Sequence, residues 1–298
     1  MSLVFDHVSY AYQLLTKRQR REGQEQLWAL RDVSFTVEDG EFLAIAGHTG
    51  SGKSTLVQHM NGLLAPTKGR VLWNGQDLAD KKQATQARAA IGVVFQYPEH
   101  QLFAATVAED VAFGPRNLGL SATEVEERVR QAIQAVELDY DEVADRSPFE
   151  LSGGQQRRVA FAGVLAMTPK VLVLDEPVAG LDPQSRNDFL ALIDRFHKRN
   201  RMSVVMVSHN MNDIARLADR VLVMNQGSVA FLDTPEKVFV ENAVEMRHIN
   251  LGIPHAQRMA NELRDAGLPL PVKLYSPESL ADELAKLLPT HEPQGGAR

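Results

Sequence analysis

The stretch GHTGSGKST, Gly47 to Thr55, decides how the rest of this sequence is read. It satisfies G-x-x-x-x-G-K-[ST] in full, between the apolar run FLAIAG (42–47) and the helical pattern GKSTLVQHMNGLL (52–64). Gly47, Gly50 and Gly52 let the backbone turn so that consecutive N–H groups, through His48, Thr49 and Ser51, point inward at phosphate oxygens. The helix that follows adds its positive N-terminal end. Lys53 is placed to reach the β- and γ-phosphates, Ser54 to offer its hydroxyl to Mg²⁺, and Thr55 completes the motif. A nucleoside triphosphate is the expected ligand. The cradle alone does not separate kinases, GTPases, helicases and transport ATPases.

Working outward, the apolar runs IGVVF (91–95), VLVLDEP (171–177) and MSVVMVSH (202–209) are short and buried in character, and helical patterns follow the last two. Strands alternating with helices predict a parallel sheet with crossover helices. LVFDHVSY (3–10) and WALRDVSFTV (28–37) instead alternate apolar and polar residues, as half-buried strands do. RVLVMNQGSVAFLD (220–233) predicts a hairpin turning at Gly227. Residues 13–27 break the pattern with a loop or hairpin insertion, and their basic run KRQRR (17–21) reads as a solvated loop. From about 97 to 150 the β-branched runs vanish and TEVEERVRQAIQAVELDY (123–140) is amphipathic and helical.

The predicted fold is therefore α/β. It has a P-loop NTPase (RecA-like) parallel core, an N-terminal antiparallel β subdomain, an inserted helical subdomain and a small C-terminal helical extension. The expected boundaries are 1–233 for the nucleotide domain with its insertion at about 97–150, 234–290 for the extension, and 291–298 for a disordered tail.

Composition excludes several classes. The 298 residues include no cysteine, which removes disulfides, thiolate zinc sites, iron–sulfur clusters and a cysteine nucleophile. A net charge of -6 disfavours an electrostatic grip on nucleic acid. No apolar run approaches the roughly 20 residues of a spanning helix. MSLVFDHVSY opens as a strand rather than a signal peptide, so a peripheral place on the cytoplasmic side of a membrane is the most a membrane role can ask.

Two further features narrow the chemistry. VLVLDEP ends an apolar strand on Asp175, which can hold the Mg²⁺ water shell, and Glu176, which can polarise a water in line with the γ-phosphate. LSGGQ supplies Ser152, Gly153, Gly154 and Gln155 at the start of a second helix, a second anion-binding N-terminus. One γ-phosphate is already served by the P-loop, so a second cradle makes sense if it covers the nucleotide of another subunit.

With these motifs in place, roughly residues 3 to 233 resemble the ATP-binding cassette (ABC) ATPases. The resemblance implies that Asp182 in AGLDP helps set a dimer interface and that His209 contacts the γ-phosphate. It implies that Gln96 reaches Mg²⁺ and the attacking water, and that an aromatic stacks on adenine. Tyr12 matches that aromatic best, with Tyr10 and Trp28 as substitutes. FQYPEHQLFAATVAEDVAFGPRNLGL (95–120) is similar to the ATPase subunits of energy-coupling factor (ECF) and cobalt or nickel uptake transporters. That implies ATP hydrolysis driving import of vitamins or metal ions. It also implies a second, non-identical ATPase, a transmembrane coupling protein and a substrate-binding membrane subunit. Glu99, with Gln101 and Phe103, is expected to line the groove for the coupling protein and to present a carboxylate to it. The alternatives are another class of ABC transporter, or a soluble ABC protein acting on DNA or ribosomes. The latter is disfavoured by a single P-loop and the lack of a coiled-coil insertion.

Overall fold

Each buried strand of the nucleotide domain feeds two cores, because successive side chains point to opposite faces. The computed structural model describes residues 2–16, 18–19 and 24–287. A six-stranded sheet runs in the order β10–β9–β3–β8–β7–β6. Its strands are β3 (Phe42–Gly47), β6 (Ile91–Val94), β7 (Val171–Asp175), β8 (Ser203–Val207), β9 (Arg220–Asn225) and β10 (Ser228–Asp233). All neighbours are parallel except the β9–β10 hairpin. Gln226 and Gly227 both take positive φ (48° and 81°), the backbone of a type I′ turn, as a tight right-twisted hairpin requires.

A second, antiparallel sheet has the order β2–β1–β4–β5, from β1 (Leu3–Tyr10), β2 (Leu30–Val37), β4 (Lys68–Trp73) and β5 (Gln76–Asp77). Its inner residues Leu3, Phe5, Val33 and Val71 pack with Leu43, Ile45, Val173 and Val205 of the large sheet and with Leu56 of helix α1 (Lys53–Met60). The alternate residues Leu172, Leu174, Val204 and Met206 face the opposite core. After α2 (Lys81–Ala90), that core receives the inserted helices α3 (Val107–Asn117), α4 (Ala122–Ala135) and α5 (Tyr140–Val143). It also receives α6 (Gly153–Leu165) and α7 (Pro183–Asn200). Ser121 and Glu124 form a capping box at the start of α4, so the amphipathic pattern begins where its cap stands.

The sequence pattern carries a helix to Leu64, but α1 ends at Met60. Gly62 takes a left-handed turn (φ 69°) and Leu63 is exposed. Beyond α8 (Met211–Leu217), the chain after β10 folds into a π-helical turn (Lys237–Glu241), α9 (Ala243–His248), α10 (His255–Asp265) and α11 (Pro277–Leu287). Val238, Phe239, Met246, Leu251 and Ile253 of this segment pack on Ala44, Ala46 and Met211. Of the basic run at 17–21 only Arg18 and Gln19 are described, and the proposed tail at 291–298 lies outside the described residues.

Pairing of β1 with β4 shifts register between Asp6 and Ser9, where His7 (φ 52°) and Gly69 (φ 76°) both turn left-handed. A Cβ on Gly69 would stand 2.2 Å from the His7 carbonyl oxygen. Gly69→Ala is expected to cost about 2 kcal/mol of stability. Calorimetry should register this as a Tm drop of roughly 4–8 °C.

Candidate functional site

The site sits where parallel strands end. β3 finishes at Gly47, β7 at Asp175 and β8 at Val207, with Asp175 in register with Val207. The loops leaving these ends converge on an open cleft of about 510 Å³. Tyr12, Lys53, Ser54, Gln96, Asp175, Glu176 and His209 all line it, together with Thr49, Gly50, Gly52 and Thr55.

The phosphate loop is built by backbone geometry. Gly52 takes φ 103° immediately before α1, and a Cβ there would lie 2.6 Å from the Ala29 carbonyl oxygen, so only glycine lets β2's entrance approach so closely. The Lys53 ammonium donates to the carbonyl oxygens of Gly47 (2.7 Å) and His48 (3.0 Å). Burial lowers its pKa, while Glu176 and Asp175 pull it back up. His48 itself points away, to the Asn225 side-chain oxygen at 3.1 Å.

Asp175 is nearly buried, and burial raises its pKa against the opposing pull of a Ser54 hydrogen bond and the Lys53 charge. Glu176 is pushed up to about 7 by burial and then by repulsion from Asp175, with Lys53 opposing. Its backbone is left-handed (φ 52°), uncommon for a side chain of this size and typical of strain held at a working site. Its Oε1 lies 3.1 Å from His209 Nε2, yet the pair is not aligned for a hydrogen bond, and this buried oxygen has no hydrogen-bond partner among the described residues. Burial and the Lys53 charge lower the His209 pKa, which favours the neutral imidazole. Asn210 follows it and caps α8 by accepting from the N–H groups of Asn212 and Asp213.

Tyr12 is the aromatic that reaches the cleft. It is 64% exposed, and its hydroxyl sits 2.9 Å from Thr55 Oγ1. Tyr10 packs edge-on against His59, and Trp28 lies under the Lys68 ammonium. The donors Ser54, Gln96 and Asp175 offer a hydroxyl, an amide and a carboxylate, a hard oxygen set suited to Mg²⁺.

Ser152 to Gln155 do not line this cleft. They form their own capping box at the exposed start of α6: Gln155 Oε1 accepts from the Ser152 N–H (3.1 Å) and hydroxyl (3.0 Å). Nothing stands within 4 Å of a Cβ placed on Gly153 or Gly154. Asp182 caps α7 by accepting from Gln184 and Ser185 N–H groups; the Ser185 hydroxyl first, and then these N–H bonds, hold its carboxyl below the usual range.

Glu99 departs from expectation. Its carboxylate does not project outward; it lies in the 3-10 turn Pro98–Gln101 and takes both arms of the Arg157 guanidinium, at 3.0 and 2.7 Å. Burial would raise its pKa, but the Arg157 bonds and charge override this and leave it low. Gln101 and Phe103 are exposed, and Phe103 meets the ring of Phe113 edge-on at 5.0 Å. Arg157, which the sequence reading passed over, is the partner of this carboxylate that charge placement alone did not reveal.

Residues 30–179 match the ABC transporter family. An energy-coupling factor transporter ATP-binding protein (EcfA2) of Symbiobacterium thermophilum is 56% identical over 273 residues, 91% of each chain. The chain belongs to the ABC transporter family, among its energy-coupling factor ATPases. The same-named protein of Caldanaerobacter subterraneus is 51% identical over 261 residues, 87% of this cassette and 91% of that protein. In structure the cassette resembles cbiO1 from Clostridium perfringens, described as part of the ABC transporter complex cbiONQ. The TM-score is 0.71 at 35% identity, over 88% of this chain and 98% of that one. An ATP-binding cassette dimer bound to ADP and Pi superposes with TM-score 0.67 at 29% identity, covering 78% and 98% respectively. The cassette is an ATP hydrolase, and no helix among its described residues is long and apolar enough to cross a membrane.

The raised Glu176 pKa carries a stability signature. Below its ordinary value of 4.5 the group is protonated folded or unfolded. Between there and about 7 the folded state holds a proton that the unfolded state has lost, so its contribution fades as pH rises through 7. Glu176→Gln should therefore raise Tm above pH 7 by roughly 2–4 °C for each kcal/mol relieved. The two melting curves should converge towards pH 5, and a constant offset across pH would contradict this.

Proposed function

We propose that this cassette hydrolyses Mg²⁺–ATP as one half of a heterodimer with a second, non-identical ABC ATPase. The pair is seated on the cytoplasmic face of the membrane under a transmembrane coupling protein and a substrate-binding membrane subunit. The imported solute is a vitamin or a transition-metal ion. One observation carries the reading: a half-buried glutamate poised near neutral pH stands beside Lys53 and His209, while the signature Ser152–Gln155 stands outside that cleft. A nucleotide in this cleft therefore lacks a lid from its own chain, and the open signature has a ligand to give to another. Names of the similar proteins, which place them in energy-coupling factor and cbiONQ assemblies, support the same partners.

In this mechanism Lys53 exchanges its bonds to the Gly47 and His48 carbonyls for the β- and γ-phosphates. Tyr12 stacks on adenine. Ser54, Gln96 and Asp175 would hold Mg²⁺, which when bound neutralises charge on the β- and γ-phosphate oxygens. Glu176 accepts a proton from the attacking water as its oxygen bonds to the γ-phosphorus and the bond to ADP breaks. His209 donates a hydrogen bond to the γ-phosphate. The opposing subunit's signature completes the cage, Asp182 borders it, and hydrolysis reopens the dimer.

Glu176→Gln should lower ATP turnover of the assembled transporter about 10²–10⁴-fold while ATP binding is retained, measured by phosphate release and nucleotide titration. Turnover within tenfold of the parent would remove Glu176 from the role of base.

The docking face proposed for the coupling protein centres on Gln101 and Phe103 with Phe113, since the Glu99 carboxylate is engaged within the chain. Phe103 and Phe113 are 61% and 52% exposed, an apolar pair left uncovered among the described residues. Phe103→Asp should cut recovery of the membrane subunits in pull-downs at least about tenfold, as expected for an aromatic anchor. Its nucleotide affinity should stay unchanged.

A further inference from the structure

We propose that Arg157 is a positioning residue for hydrolysis: its guanidinium fastens the 3-10 turn after Gln96 to the backbone that carries Glu176. Nε and Nη2 donate to the two Glu99 oxygens at 3.0 and 2.7 Å. Nη1 donates to the carbonyl oxygens of Pro177 (3.2 Å) and Ala179 (2.9 Å). The side chains are 3% and 17% exposed, so the cation is buried, with four of its N–H donors bonded. A planar fork serves a carboxylate and two carbonyls at once; an ammonium cannot reproduce that geometry.

The bonded carbonyls belong to the segment that directly follows Glu176. Ala179 N–H returns to the Glu176 carbonyl at 3.1 Å, which closes a turn directly behind the left-handed Glu176 backbone. A second contact runs alongside, because Gly180 lies against the Tyr97 ring, 3.4 Å from where its Cβ would be. Arg157 itself stands in α6, the helix that Ser152 opens. Three functional segments thus meet on one side chain: the loop of Gln96, the turn behind Glu176 and the signature helix. A displacement of the 3-10 turn cannot stay local. It moves the support of the base and the helix that serves the other nucleotide together.

The inference rests on the proposed function, because hydrolysis by the assembled pair is what reports it. The test uses the full chain co-expressed with its second ATPase and membrane subunits, with turnover measured against ATP concentration and Tm in parallel. Arg157→Gln should lower kcat about 10–100-fold, the scale of a small misplacement at a reacting centre. KM for ATP should stay within about twofold. Arg157→Lys keeps the charge without the fork, and it should recover assembly and Tm but not kcat. Glu99→Gln should fall in the same direction, and the double variant Glu99→Gln/Arg157→Gln no further than Arg157→Gln alone. Full kcat in Arg157→Lys, or a raised KM at unchanged kcat, would overturn the proposal. If Arg157→Gln does not assemble, Arg157→Lys and Glu99→Gln decide it. An inactive parent complex would instead overturn the proposed function, so the two failures are separable.

Discussion

Two carboxylates and one ammonium share the buried carboxyl end of the large sheet, and the remainder of the cassette is arranged to tolerate them. Asp175 and Glu176 are adjacent in sequence and both are pushed towards protonation, while Lys53 is pushed towards losing its proton. Each shift has burial as its largest cause. Carbonyl oxygens at 2.7 and 3.0 Å hold the ammonium, a weaker match than the anions it faces. In the proposed function polyphosphate would supply the anion, and a divalent cation the positive charge that the carboxylates lack. Nucleotide binding is thus the settlement of an electrostatic imbalance that the fold has already made.

The same segments are braced from behind by neutral and paired contacts. Asn210 caps α8 directly after His209, and Asp213 of that helix pairs with Arg186 of α7. The Asn212 side-chain oxygen accepts from the His255 N–H at 2.9 Å, and Met211 packs with Leu251 and Ile253. The extension after β10 is therefore packed onto the helix that follows His209. Together with the Arg157 junction, these contacts leave the phosphate-facing groups few independent motions.

The motifs whose parts are close in sequence were legible there. Gly47 to Thr55 needs only a strand, a loop and a helix in succession, and FLAIAG and the pattern of α1 supply both flanks. The hairpin at Gly227 was legible for the same reason. The fold class followed from alternation and burial along β3, β7 and β8. What spacing could not show was pairing across the chain. Glu99 and Arg157 are 58 residues apart, and a carboxylate in a polar loop reads as solvated until its partner is seen. The left-handed backbone at Glu176 likewise follows from its hydrogen bond to Val207 and the turn behind it, not from its residue type. A signal for Arg157 did exist: a cation in the second turn of α6, one turn before Phe161 on the same buried face, needs an anion.

The phosphate loop is closed by residues from both ends of the nucleotide domain. Gly227 N–H donates to the Ser51 carbonyl at 3.0 Å, Arg31 N–H donates to the Gly227 carbonyl at 2.8 Å, and the Ala29 carbonyl presses against both Gly52 and Gly227. A ribosome delivers Gly52 long before Gly227. During synthesis the loop emerges with its glycines in hand but without the hairpin that fixes its outer wall, and long-range closure of this kind is slow. The cradle acquires its shape only when nearly the whole nucleotide domain has left the exit tunnel, so a truncated nascent chain has no finished site in which to capture ATP.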